Sequence, residues 1–220
     1  MATGLSLVRS IILALAVMLA ITVSVYAAYD RQAAVEYALH YWDKVCSDGY
    51  YFAESTGPTS LGAGEAFPTT IEGFDCAHFV SCCIGSEPNH PAGGLAIPSR
   101  TSSYGEPGAQ RLVDWLLGQG GATLADSISD LVPGDVVAYD ADHNGWIEHV
   151  ALYMGDGLVA AHSISRYSQW NLDPESDFVF IHLPGEYSRQ GVKSTLGLQE
   201  WLLLVVRIAQ LAANLFFRIS

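Results

Sequence analysis

No charged residue falls between Arg9 and Asp30, and the chain from Ile11 to Val25 is almost continuously apolar. A terminal run of roughly 20 residues is long enough to cross a bilayer. It ends in Val25-Tyr26-Ala27, a small-residue pattern that a signal peptidase can cut. Whether cleaved or retained, residues 1–29 read as a signal peptide or membrane anchor, so a folded domain has to be built from about residue 30 onward. Arg9 on the near side and acidic residues beyond the run place that domain outside the cytoplasm. The other end is also apolar. Between Trp201 and Ile219 the polar residues are Arg207, Gln210, Asn214 and Arg218, and their spacing puts them on one helical face. Residues 194–220 are therefore expected to form an amphipathic helix. It would lie in a membrane interface, cross beside the first run, or pack on the domain.

Charge narrows the partners. The net charge is −13, and Lys44 and Lys193 are the only lysines. Nucleic acid and anionic lipid headgroups both demand a basic surface, so neither is expected as the main partner.

Between the two apolar ends, helices come first and strands later. Residues 30–46 carry Ala33, Ala34, Tyr37, Ala38, Tyr41 and Val45 at helical spacing. Residues 47–73 and 87–108 are rich in Gly, Ser, Thr and Pro and read as loops. A short helix is expected from 75 to 85 and another over 109–118. Strands are expected at 135–139, 147–154, 158–162 and 178–183, with an Asp-Gly hairpin signal at Asp156-Gly157. The fold class is α+β, with N-terminal helices followed by an antiparallel sheet.

Two stretches carry the chemistry. Phe74-Asp75-Cys76-Ala77-His78-Phe79-Val80-Ser81 puts a cysteine at a loop-to-helix junction, and Glu148-His149-Val150-Ala151 puts a histidine at the head of an apolar strand about seventy residues on. A helix N-terminus and a nearby imidazole both favour a thiolate, which makes Cys76 and His149 a candidate nucleophile and base. The helix N–H groups also suit the oxyanion of a tetrahedral intermediate. His162, on the next strand across the hairpin, is expected to orient His149 through its other ring nitrogen. The fallback orienting group is Asn144 or Asp142. Thirteen residues separate His149 from His162, and a one-residue slip of register would turn His162 to the wrong face.

The string Asp75-Cys76-Ala77-His78-Phe79-Val80-Ser81 resembles the cysteine motif of the NlpC-type and CHAP papain-like peptidases, and of the related amidase domain. Pro133-Gly134-Asp135, Glu148-His149-Val150-Ala151 and Ala161-His162-Ser163 resemble further motifs of that superfamily in their order and spacing. The resemblance implies a papain-like domain over residues 30–190 that cleaves amide bonds through an acyl-enzyme, with Cys76, His149 and His162 catalytic. Asp75, Tyr51 and His78 are expected to line the oxyanion and substrate groove. The substrate expected is a peptide or other amide-containing polymer of the cell surface. The rivals are a silent binding module of the same fold and a Cys-His acyltransferase.

No cofactor or metal is expected. The Cys and His residues around Cys76 lack zinc spacing. Asp140-Ala-Asp142-His-Asn144-Gly145 matches the first half of a calcium loop, but its twelfth position is Ala151 where a bidentate Glu should stand. Cys83 falls on the face of Cys76 and reads as core. Cys46 is free to pair with Cys82 or Cys83 or to remain a thiol.

Overall fold

In a computed structural model of the chain, residues 29–53, 57–68, 74–86, 92–97, 105–163, 167–171 and 174–185 are described. The chain divides into two units, Met1–Tyr187 and Ser188–Ser220, and all described residues belong to the first. The expected leader and C-terminal helix lie outside the described residues. Among those that are described, no helix is long and apolar enough to cross a membrane.

Helix α1, Arg31–Tyr41, starts where the Asp30 carboxylate accepts the Ala33 N–H at 3.0 Å, satisfying one orphan donor of the first turn. It buries Arg31, Ala34, Tyr37, Ala38 and Tyr41 along one face. It stops earlier than the apolar pattern suggested, because Lys44 leaves to bridge Ala66. The segment read as one long loop holds a small antiparallel hairpin, β1 (Tyr50–Ala53) and β2 (Gly57–Ser60), whose four-residue strands are too short and too Gly- and Pro-rich to signal themselves. Helix α2, Cys76–Ile84, is buried at all nine positions. Helix α3, Ala109–Gly118, turns Leu112, Val113 and Leu116 inward.

The strands follow: β3 (Thr123–Ala125), β4 (Val136–Asp140), β5 (His149–Gly155), β6 (Leu158–Ala160), β7 (Tyr167–Gln169) and β8 (Asp177–His182). They form one antiparallel sheet in the order β3-β8-β4-β5-β6-β7. The three-residue β3 and β7 at its edges are the strands of this sheet that the sequence did not announce. The rest of the α+β plan is as expected.

Strand β4 is buried at every position, so both faces of the sheet are covered at its centre. Val136, Ala138, Val150, Leu152 and Ala160 face the cluster that contains the helices, including Cys76, Phe79 and Leu112. Val137, Tyr139, Ala151, Tyr153, Val159 and Ala161 face a second cluster with Trp170, Phe178 and Phe180 packed against it. The β5–β6 turn runs through Gly155, Asp156 and Gly157, all at positive φ, and the pairing register shifts between Tyr153 and Gly155.

Asp135 anchors the helices to the sheet. Its buried carboxylate meets Arg31 Nη1 at 2.5 Å and accepts the N–H groups of Val132 at 2.8 Å and Leu183 at 2.8 Å. His182 Nδ1 lies 2.9 Å from its second oxygen. Arg31 also donates to Gly185 O at 3.1 Å and to Leu183 O. The Pro-Gly-Asp motif thereby has a structural reason: Gly134 takes φ +93° against Tyr29, whose hydroxyl donates to Gly134 O at 2.6 Å, and Asp135 is delivered beneath Arg31. Asp135→Ala should destabilise the domain by about 3–5 kcal/mol, because it strands a buried guanidinium. Urea unfolding measures this, and a loss below about 1 kcal/mol would remove Asp135 from that role.

Candidate active site

Asp75, the N-cap of α2, delivers Cys76. Its side chain does not cap the backbone N–H groups of the helix it precedes. Instead the fully buried carboxylate accepts the Phe52 N–H at 2.6 Å and meets two imidazoles, His78 Nδ1 at 3.0 Å and His162 Nδ1 at 2.5 Å. The Asp75 N–H donates to Ser163 Oγ at 3.3 Å. Burial alone would push this carboxyl group up, but His78 and His162 outweigh it and hold the pKa below the ordinary value. The converse holds for His78. Burial pulls it down, yet Asp75 and Asp48, whose Oδ2 lies 2.8 Å from Nε2, hold it well above the ordinary imidazole value.

Cys76 is 4% exposed, whereas Cys46, Cys82 and Cys83 are fully buried, and none of the four is in a disulfide. Its Sγ lies against β5, 3.9 Å from Glu148 O. The expectation of a resting thiolate needs correction. Burial pushes the thiol up to about 11, and the backbone N–H groups of Val150, Ala77 and Cys76 offset only part of this, while the Asp75 charge adds to the rise. A helix N-terminus is a weaker influence here than the loss of water.

His149 starts β5 between the two residues that touch the thiol. Its ring packs on Tyr139, its partner across the β4–β5 ladder, with centroids 5.2 Å apart. No hydrogen bond joins it to Cys76. Burial lowers its pKa to about 4, so the ring is neutral at neutral pH. The structure thus brings Cys76 onto the strand that carries His149, with the imidazole turned toward Tyr139.

His162 stands elsewhere than expected. Both of its ring nitrogens are engaged, Nδ1 by Asp75 and Nε2 by Tyr41 O at 2.9 Å, and the ring lies between Phe67 and Phe79 at centroid distances of 4.1 and 4.2 Å. It does not orient His149. The cause is parity: Leu152 pairs with Ala160 on the helix side, so His162, two residues on, follows to that side, while His149 alternates with Ala151 and Tyr153 toward the other. Asn144 and Asp142 do not hold His149 either. Asn144 bonds Asp142 Oδ2 and the Trp146 N–H, which closes the loop on itself.

The three groove candidates also separate. Asp75 and His78 are wholly buried, so neither lines an open groove. Tyr51 is half-buried, with its ring edge-on to Phe67 at 5.9 Å. Asp48, which joins the network through His78, went unnoticed in a Gly- and Ser-rich segment that gave no signal. In the calcium-like loop, Asp140, Asp142 and Glu148 converge to within 4.8 Å of one another. Asp140 accepts the Asn144 and Gly145 N–H groups and Glu148 accepts that of Ala141, as turn carboxylates do.

The family model described as "Putative amidase domain" matches residues 28–180. No curated protein matches the chain. Two solved structures show similarity. "Structure of NlpC1 from Trichomonas vaginalis" is 16% identical with a TM-score of 0.38, covering 73% of this chain and 46% of that one. "Structure of NlpC2 from Trichomonas vaginalis" is 18% identical with a TM-score of 0.30, covering 64% of this chain and 59% of that one. The chain therefore spans about half the length of each.

Asp75→Ala would leave His78 without its buried counter-charge, and His162 Nδ1 and the Phe52 N–H without their hydrogen-bond partner. We expect a loss of about 3–5 kcal/mol in urea unfolding. A loss no larger than that of a surface Asp→Ala would contradict this account of the network.

Proposed function

Because the chain belongs to the Putative amidase domain family, we propose that it is a cysteine hydrolase of amide bonds, with Cys76 as nucleophile and His149 as general base. The observation that carries this reading is the seating of the Cys76 thiol at the start of α2 against Glu148 and Val150, the two neighbours of His149. The reaction begins from a neutral pair. His149 takes the proton from Sγ as sulfur attacks the carbonyl carbon, and the tetrahedral oxyanion faces the N–H groups of the first turn of α2, which the Asp75 side chain does not cap. His149 then gives the proton to the leaving amine. Water hydrolyses the thioester and regenerates the thiol. His149 starts on the sheet face away from the helices, with Ala151 and Tyr153, so its ring has to leave Tyr139 and turn to the Cys76 side at the head of β5, and the productive arrangement belongs to the substrate-loaded form. Phe74 and Trp146, both more than half exposed, stand two and three residues before Cys76 and His149 and offer apolar contact to a substrate. The substrate class we propose is a peptide or amide polymer of the cell surface, in keeping with the uncharged run before Asp30.

Cys76→Ala should abolish turnover of a peptide-amide substrate and leave the unfolding midpoint nearly unchanged. His149→Gln should reduce kcat by roughly 10²–10⁴-fold, and activity within tenfold of the parent would remove His149 as base. Burial lowers the pKa of His149, so its basic form survives acidification. The acid limb of kcat/KM should therefore fall near pH 4 rather than near the ordinary imidazole value of 6.5. A structure of the Cys76→Ala protein with peptide bound should place the His149 ring about 3 to 4 Å from the attacked carbonyl's former thiol position. Protease added to intact cells should degrade the domain. Protection until lysis would overturn the surface substrate.

A further inference from the structure

Around α2, three soft or borderline donors converge with no part in the chemistry above. Cys82 follows His78 by four residues, so both side chains leave α2 on one face. Cys46, on the segment after α1, comes to meet them. Cys46 Sγ, a ring nitrogen of His78 and Cys82 Sγ all lie within 4.8 Å of one another, and all three residues are fully buried. Cys82 Sγ is 3.4 Å from His78 Nε2. A carboxylate stands beside the group on the histidine: Asp48 Oδ2 lies 2.8 Å from His78 Nε2, while Asp48 Oδ1 accepts the Tyr50 N–H at 2.9 Å.

We propose that Cys46, His78, Cys82 and Asp48 form a structural site for a thiophilic divalent cation, of which zinc is the type. The donor set is two sulfurs, one imidazole nitrogen and one carboxylate oxygen, a combination that zinc accepts in tetrahedral geometry. A metal held by two sulfurs at about 2.3 Å and a nitrogen at about 2.0 Å needs donor separations of roughly 3.4–3.8 Å. Small movements of Cys46, His78 and Cys82 reach that from the arrangement seen, and the Asp48 carboxylate swings from its hydrogen bond on His78 to become the fourth donor. The outer contacts suit it as well. His78 would bind through Nε2 and keep its Nδ1–H on the buried Asp75 carboxylate, the orientation that a metal-bound histidine needs. Binding displaces the protons of both thiols and of His78 Nε2 to solvent, with no change of oxidation state.

The segment spacing hid this group from the sequence. Cys46 stands 36 residues before Cys82, on a different element, and only His78 and Cys82 share a helix. The site would tie the Cys46–Asp48 turn to α2 and, through His78, brace Asp75 and the turn that delivers Cys76.

The test uses the full chain, purified reduced and stripped of metal, and titrated with Co²⁺. We expect saturation at one equivalent, with a thiolate-to-cobalt charge-transfer band and the strong visible bands of a tetrahedral centre, both bleached by Zn²⁺. Cys46→Ser and Cys82→Ser should each abolish or strongly reduce the charge-transfer band. Cys83→Ser, one residue away and equally buried, should leave it intact. Binding is read by spectrum and stoichiometry, so failure here leaves the amidase reading standing, and an inactive enzyme with intact bands leaves the metal site standing. If a variant does not fold, the parent protein decides: zinc should raise its unfolding midpoint by several degrees. Absence of the charge-transfer band in the folded, reduced parent would overturn the site. So would equal loss in Cys83→Ser, or a Cys46–Cys82 disulfide as the form isolated from cells.

Discussion

Three segments far apart in sequence meet on the Asp75 carboxylate: β1 through the Phe52 N–H, α2 through His78, and the chain after β6 through His162. A buried carboxylate tolerates ionisation only when its lone pairs are filled by donors, and here the donors are the very elements that have to converge for Cys76 to reach β5. The charge is thus a condition on the fold as much as a product of it. An unfilled Asp75 would be too costly to bury, and without a buried Asp75 the first turn of α2 would have no fixed direction. The next carboxylate out, Asp48, extends the same chain of contacts to the loop after α1.

Arg31 and Asp135 solve a related problem at the opposite end of the sheet. An arginine on the first turn of a helix sits at the positive end of the dipole and, buried, would be doubly unfavourable. The Asp135 carboxylate and the carbonyls of Leu183 and Gly185 take up its donors, which makes the liability a joint between α1, β4 and the end of β8. Specificity is the gain in such a pair, since few other packings of these helices would satisfy it.

Much of this was legible because it is periodic. The 109–118 helix, the short helix behind Cys76, and the strands β4, β5, β6 and β8 all carry spacing that survives in the sequence. Cys76 and His149 stood out for the same reason, as residues at the boundaries of such elements. Edge strands of three residues and the β1–β2 hairpin have too few positions to show a period. The role of His162 depended on parity across a turn with a register shift, where one residue reverses every side chain. The sequence sets Asp75 and His78 beside Cys76 but does not show that both are buried. Asp48 and Cys46 were illegible as a group, since only the folded chain brings them to α2.

Helix α2 has no solvent face: all nine of its residues are buried. A helix of that kind is not stable by itself, because its apolar surface demands cover on every side, and here much of the cover is β5, which begins more than sixty residues later. During synthesis, a chain that has not yet released residues 149–155 cannot close over the helix. The thiol therefore has no ordered surroundings until nearly the whole domain has condensed.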